Sequence, residues 1–218
     1  MPDTHGGNIF KFSHDHKINL SEVTDFSANI NLLGPSPKGL EALNERLRYI
    51  SHYPDVTNDD VMNTIADVYG IEKDSILLGN GAAELIYAVG RLSGFTGAFV
   101  PAPGFSEYQA SMDAANIPVR EIFYRQRQND NGAPYFEVPY LALQTFAAEL
   151  KGQDGRIIVF LGNPNNPDGT LLDKQSIKVL AQMLKDANSL LIIDESFIDF
   201  IGDESLRDNS YSMRELIN

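Results

Sequence analysis

The stretch RIIVFLGNPNNPDGT, residues 156–170, runs from uninterrupted apolar residues into three asparagines and two prolines packed within five positions. An apolar run of this length without alternation reads as a strand buried on both faces, as in a parallel sheet covered by helices. Pro164 and Pro167 restrict φ and carry no N–H. Asn163, Asn165 and Asn166 bring side-chain amides to the carboxyl end of that strand. Such a loop suits an amide donor that must keep one position against a ligand oxygen; a structured turn is the alternative.

The same grammar repeats on either side. SILLGN, GAFVPA, VREIFY and SLLIIDES read as strands. AAELIYAVGRL, FSEYQASMDAAN, YLALQTFAAEL and DKQSIKVLAQMLKDAN read as helices between them. This alternation predicts an α/β fold, a mostly parallel sheet with helices on both faces. Upstream, KGLEALNERLRYI has Leu40, Leu43, Leu47 and Ile50 at helical spacing. NDDVMNTIADVYG is a second helix, with Asn58 as N-cap and Gly70 as its stop. Residues 1–36, rich in Gly, Asn, Ser and Pro, read as an irregular arm, and residues 37–218 as one incomplete large domain. The last residues, SMRELIN, read as the start of a helix. Tyrosines and phenylalanines around 123–140 are assigned to core and loop packing.

The 218 residues carry a formal net charge of −13, which argues against nucleic acid and anionic membranes as general partners. It does not exclude a small anion held by a nest of backbone N–H groups. There are no cysteines, hence no disulfides or thiolate metal sites. No apolar run has the length of a membrane span, and the N-terminus lacks the apolar core of a signal peptide. A cytoplasmic protein is the expectation.

In open α/β sheets ligands sit beyond the carboxyl ends of the strands. Three such ends carry chemistry. In LLGNGAAE, residues 77–84, a strand runs through glycines into a helix, whose N-terminal N–H groups could take a phosphate. Gly79 and Gly81 match the first two glycines of a dinucleotide fingerprint, but Glu84 stands at the third; a plain strand-to-helix turn is the bland reading. NPNNPDG is the second end. In LLIIDESF, residues 190–197, Asp194 closes an apolar strand, where a carboxylate needs hydrogen bonds or a cationic partner. A protonated ring nitrogen, a helix cap or an arginine pair would each serve.

Taken in order with the aromatic in PAPGFSEY and YPD at 53–55, these motifs resemble the fold-type-I pyridoxal-phosphate enzymes, the aspartate-aminotransferase superfamily, over essentially the whole chain. The resemblance implies a pyridoxal 5'-phosphate cofactor. Gly81, Ala82 and Ala83 would cradle its phosphate and Phe105 would stack on its ring. Asn166 would donate to the ring oxygen, and Asp194 would pair with the ring nitrogen. Tyr53 would reach the phosphate of a second subunit, implying a homodimer.

Two relatives compete: threonine-phosphate decarboxylases of cobalamin synthesis and histidinol-phosphate aminotransferases. HGGN at 5–8, DFSANIN at 25–31 and DESFIDF at 194–200 resemble the decarboxylases. Three positions after the acidic residue, the aminotransferases usually have a tyrosine; here it is Phe197. The resemblance implies that His5, Gly6, Asn29 and Asn166 contact a small phosphorylated amino acid, L-threonine O-3-phosphate. Leu32, in NINLLGPSP, departs from that pattern. Without the resemblance His5 is a surface residue, and HDH at 14–16 lacks the convergence a metal needs; no metal is expected. The eight lysines all precede Asp194. The family's Schiff-base lysine is expected beyond Asn218, along with a small C-terminal domain, so the 218-residue chain by itself is expected to be inactive.

Overall fold

The computed structural model describes residues 6–150, 155–203 and 210–217. The chain divides into two compact units, Met1–Thr57 and Asn58–Asn218.

The first unit is more regular than its glycine and proline content predicts. Helix α1 (Ile9–His16) lies inside the segment expected to be irregular. Asn8 starts it by accepting the Lys11 N–H at 3.1 Å, and Lys17 ends it in the left-handed region. A 3-10 turn at Leu20–Glu22 follows, closed by a capping box between Asn19 and Glu22. Helix α2 (Pro37–Arg46) starts at the Ser36 cap with proline at its first position. The helix expected to run to Ile50 tightens into a 3-10 turn over Leu47–Ser51. None of these helices has a buried residue.

The second unit opens with α3 (Asp59–Tyr69), which Gly70 terminates in the left-handed conformation. Asn58 precedes α3 as expected but makes no side-chain cap, because its own backbone is left-handed (φ 52°). The next segment corrects the sequence reading: SILLGN is not a strand. Residues 76–79 leave a 3-10 turn (Lys73–Ser75) and pair with no strand among the described residues, and Leu77 is exposed. An apolar run becomes a strand only when another strand offers it a ladder.

Helix α4 (Ala82–Val89) leads into β1 (Phe95–Ala102), α5 (Ser106–Ala114) and β2 (Val119–Phe123). An unanticipated antiparallel hairpin follows, β3 (Arg125–Gln128) with β4 (Pro134–Glu137). Its turn is held by Asn129 Oδ1, which accepts the N–H groups of Asn131 and Ala133 at 3.1 and 2.9 Å. Then come α6 (Tyr140–Leu150), β5 (Arg156–Gly162), α7 (Lys174–Asp186) and β6 (Leu190–Asp194). The end of the chain forms a 3-10 turn at Arg214–Leu216.

The main sheet has the order β2-β1-β5-β6 and every pairing is parallel. From β1 the chain moves outward to β2; from β5 it moves outward the other way to β6. The switch in direction lies between β1 and β5, and in open α/β sheets ligands bind beyond the carboxyl ends at such a point.

Period-two alternation sends successive strand residues to two separate cores. Ala98, Val100, Ile158 and Phe160 pack with Ile86 of α4 and Tyr108 and Met112 of α5. Phe99, Val159 and Leu161 pack with Leu143 and Ala147 of α6 and Ile177, Leu180 and Leu184 of α7. Helices therefore cover both faces, as the alternation predicts. Each large core side chain removed from water contributes on the order of 1.5–3 kcal/mol. Among the described residues no helix is long and apolar enough to cross a membrane.

Candidate active site

The loop after β5 is built by its asparagines as much as by its prolines. Asn163 is fully buried (0% exposed). Its amide donates to Leu172 O at 3.1 Å and its oxygen accepts Leu172 N–H at 2.8 Å, which closes the loop on itself. Its backbone N–H donates to Asp194 O at 2.8 Å, tying the loop to the end of β6. Asn165 (3% exposed) donates through one amide nitrogen to Pro103 O and to Asp168 Oδ1, both at 3.0 Å. Asp168 Oδ1 also accepts Thr170 N–H at 3.0 Å. Two of the three amides are consumed by scaffolding. Asn166 is half-buried and makes no side-chain hydrogen bond among the described residues. It is the amide free to meet a ligand.

Asp194 ends β6 in register with Gly162 of β5. No arginine pairs with it among the described residues. Its Oδ2 accepts the Tyr108 hydroxyl at 2.8 Å, and its Oδ1 accepts the Ser196 N–H at 2.9 Å and the Ser196 hydroxyl. Tyr108 is 2% exposed, stacked on Phe160 with ring centroids 5.0 Å apart and edge-on to Phe105 at 5.7 Å. Burial, then the field of Asp194 and their hydrogen bond, pushes the Tyr108 phenol well up, so it stays protonated and donates. Phe105 precedes the first residue of α5 in extended conformation, beside the end of β1.

The third strand end of the sequence reading is a loop rather than a strand, but it still opens a helix. α4 packs through Ile86 against residues of β1, β5 and α5, and the chain then enters β1. Gly81 precedes it with φ 80° and ψ 166°, a conformation essentially restricted to glycine. A Cβ built on Gly81 would meet nothing within 4 Å. The N–H groups of Ala82 and Ala83 lie in the first turn, where helical N–H groups lack intrahelical acceptors. Glu84, at the third glycine position of a dinucleotide fingerprint, accepts both the N–H and the side-chain amide of Asn80 and shapes the loop from behind.

The carboxyl ends of β1, β5 and β6 and the segments that follow them, with the start of α4, thus carry an aromatic ring, an amide donor, a carboxylate with acceptor capacity left and a helix N-terminus. Together they suit a flat heteroaromatic ring with a protonated nitrogen and an attached phosphate.

In the first unit the two arm motifs meet. A Cβ on Gly6 would lie 1.8 Å from Ser27 O, so only glycine allows this approach. Gly7 N–H donates to the Ser27 hydroxyl at 2.8 Å, and Ser27 in turn donates to Asp25. Gly6, Asn8, Phe12, Asp25 and Ser27 are among the residues lining a cavity of about 440 Å³. Asn29 follows in the same segment, Tyr53 is fully exposed (100%), and His5 lies outside the described residues. His14 and His16 of the HDH motif lie on α1, where the His16 ring nitrogen is turned back onto Phe12 O at 2.9 Å.

Residues 21–215 match the family described as aminotransferase class I and II. The chain belongs to that family. Across 213 residues it is 35% identical to the adenosylcobalamin biosynthesis bifunctional protein CobDQ of Leptospira interrogans, covering 96% of this chain and 23% of that protein. Across 212 residues it is 31% identical to the threonine-phosphate decarboxylase of Salmonella typhimurium, covering 95% of this chain and 55% of that one. Among solved structures, the histidinol-phosphate aminotransferase of Clostridium acetobutylicum superposes with a TM-score of 0.69 at 27% identity, covering 89% of this chain and 52% of the other. The chain therefore spans about half the length of these last two relatives. The family's sheet-and-helix architecture is the one observed here.

The sequence reading missed Tyr108. Its position in the first turn of α5, three residues after Phe105, was the available signal.

Proposed function

We propose that the complete protein is a pyridoxal-phosphate-dependent lyase that decarboxylates L-threonine O-3-phosphate to aminopropanol phosphate for cobalamin biosynthesis. The observation that carries this reading over its rival is the interlock of Gly6 and Gly7 with Ser27, which joins the two decarboxylase-like motifs around one cavity. Phe197, which packs edge-on against Phe200 and brings no hydroxyl, supports it. So does the similarity to the Salmonella decarboxylase and to CobDQ.

The site residues fit the cofactor. The N–H groups around Gly81, Ala82 and Ala83 hold its phosphate, and Phe105 covers its ring. Asn166 donates to the ring oxygen. Asp194 holds a proton at the ring nitrogen. When bound, pyridoxal phosphate supplies an electron sink for charge released at the substrate Cα. Which bond breaks is a matter of how the substrate is held: His5, Gly6 and Asn29 would contact it and so favour loss of the carboxylate over loss of the Cα proton. Tyr53 serves the phosphate of a second subunit in a cytoplasmic homodimer.

None of the described lysines belongs to this constellation. Lys174, buried at the start of α7, is paired with Glu215 at 3.2 Å. We propose that the 218-residue chain by itself binds the cofactor without a covalent bond and does not turn over; a borohydride-reducible cofactor adduct in this chain would contradict that.

The second reading, a histidinol-phosphate aminotransferase, is favoured by the superposition on the Clostridium enzyme. The deciding experiment is carbon dioxide release from L-threonine O-3-phosphate by the complete gene product loaded with pyridoxal phosphate. Release without a keto-acid acceptor is the expected result. Amino transfer from histidinol phosphate to 2-oxoglutarate, with no carbon dioxide, would overturn the decarboxylase in favour of its rival.

A further inference from the structure

Asp194 and Phe105 come from different strand ends, and one side chain touches both. The Tyr108 hydroxyl reaches Asp194 Oδ2 at 2.8 Å while its ring meets that of Phe105 in a T-shaped contact, centroids 5.7 Å apart and planes at 86°. The ring has little freedom. Its other contact is Phe160, stacked at 5.0 Å and 14°, and Phe160 belongs to the buried core of β5. A rigid aromatic clamped in this way transmits the position of β5 to both groups.

The hydrogen-bond count at Asp194 gives this arrangement a direction. An ionised carboxylate has about four acceptor positions. Ser196 takes two on Oδ1, through its N–H and its hydroxyl, and Tyr108 takes one on Oδ2. One position remains, on the oxygen Tyr108 holds. Ser196 is a local partner two residues along the chain and turns with Asp194. Tyr108 is anchored 86 residues away and is the partner that fixes the carboxylate relative to the sheet.

We propose that Tyr108 is a positioning residue for the cofactor: its hydroxyl aims the remaining acceptor of Asp194 at the ring nitrogen, while its ring supports Phe105 against the same cofactor. This rests on the pyridoxal-phosphate reading above. Tyr108 does not touch the reacting atoms; it acts through Asp194 and Phe105.

The test is Tyr108→Phe in the 218-residue chain, titrated with pyridoxal phosphate carrying ¹⁵N at the ring nitrogen, with affinity read by absorbance and protonation by the ¹⁵N shift. Phenylalanine keeps the stacking on Phe160 and Phe105 and removes only the hydroxyl. The expected result is about tenfold weaker binding, the scale of one hydrogen bond to a charged group. The ring-nitrogen signal should also move toward the unprotonated value at a pH where the unaltered chain keeps it protonated. A structural role alone would lower the melting temperature without moving the ¹⁵N shift, and that result would overturn the proposal. Asp194→Asn serves as the reference for a lost ring-nitrogen partner. If the unaltered chain binds and protonates the cofactor and Tyr108→Phe does the same, Tyr108 is not a positioning residue and the cofactor reading stands. If the unaltered chain binds no pyridoxal phosphate, the non-covalent binding proposed for the 218-residue chain fails and the proposal with it.

Discussion

The Asn165 side-chain amide donates 3.0 Å to the carbonyl of Pro103, so the loop that follows β5 is bonded directly to the loop that follows β1. This bond spans the point where the chain's direction through the sheet reverses. It joins the segment carrying Asn166 to the segment carrying Phe105.

Asn165→Ala should therefore remove the donor to Pro103 O and one of the two donors to Asp168 Oδ1 in a part-buried setting. The expected cost is about 1–3 kcal/mol, read as a lowered urea midpoint with the m-value unchanged. Asn166→Ala, next in sequence but without a scaffold bond, should cost little stability and act on cofactor affinity instead.

Gly81→Ala isolates a backbone effect. A Cβ there meets nothing within 4 Å, so no steric clash contributes. Any loss comes from forcing a non-glycine residue to φ 80°, ψ 166°, about 1–3 kcal/mol. Urea unfolding measures it. Under the proposed function, pyridoxal phosphate should also bind more weakly to this variant, because the first turn of α4 would relax away from its present path.

The glycine pair of the arm offers a contrast within one unit. Gly6→Ala drives a Cβ into Ser27 O and should abolish the bond from Gly7 N–H to the Ser27 hydroxyl. Faster amide exchange at Gly7 is the readout. Gly39→Ala, inside α2 where the nearest atom to a Cβ is 3.7 Å away, should stabilise its helix by roughly 0.5–1 kcal/mol.

Helix α7 carries a pH-dependent cap. Asp173 accepts the Ser176 hydroxyl and N–H at 2.7 and 2.9 Å, and these bonds hold its carboxyl below the usual carboxylate range. A depressed folded-state pKa stabilises the fold above the ordinary carboxylate value, and the contribution disappears as pH falls through the depressed one. Asp173→Ala should cost about 1 kcal/mol at neutral pH. The difference from the unaltered chain should shrink in acid below the ordinary carboxylate range. Denaturation midpoints at neutral and acid pH check both statements.

What was legible in the sequence follows from where the information sits. IIVFL and LLII are apolar at every position, as befits strands of a sheet with helices on both faces, and the sequence pattern alone reveals them. SILL carries the same signal but has no partner strand among the described residues, and pairing is a tertiary fact. The hairpin was hidden for the opposite reason: RQRQ is exposed at all four positions and leaves no hydrophobic trace. α1 was hidden behind the glycines and asparagines that start it. At the candidate site, Asp194 and Asn166 stand out as polar residues ending apolar strands. Tyr108 lies within a helix, where a buried tyrosine looks like any other core residue until its hydroxyl is seen to have a partner.

Strand β6 is hydrogen-bonded on one side only among the described residues, and each of its five residues keeps partial solvent exposure. Beside it lies a cavity of about 750 Å³ lined in part by Ile193, Met213, Leu216 and Ile217. An apolar ribbon with a free row of backbone donors and acceptors is a template for another ribbon. The practical outcome is colloidal. Dilute solutions of the chain should stay clear, whereas concentration should drive edge-to-edge pairing, visible as rising light scattering and thioflavin fluorescence. A lysine in place of Leu191 or Ile193 should suppress both.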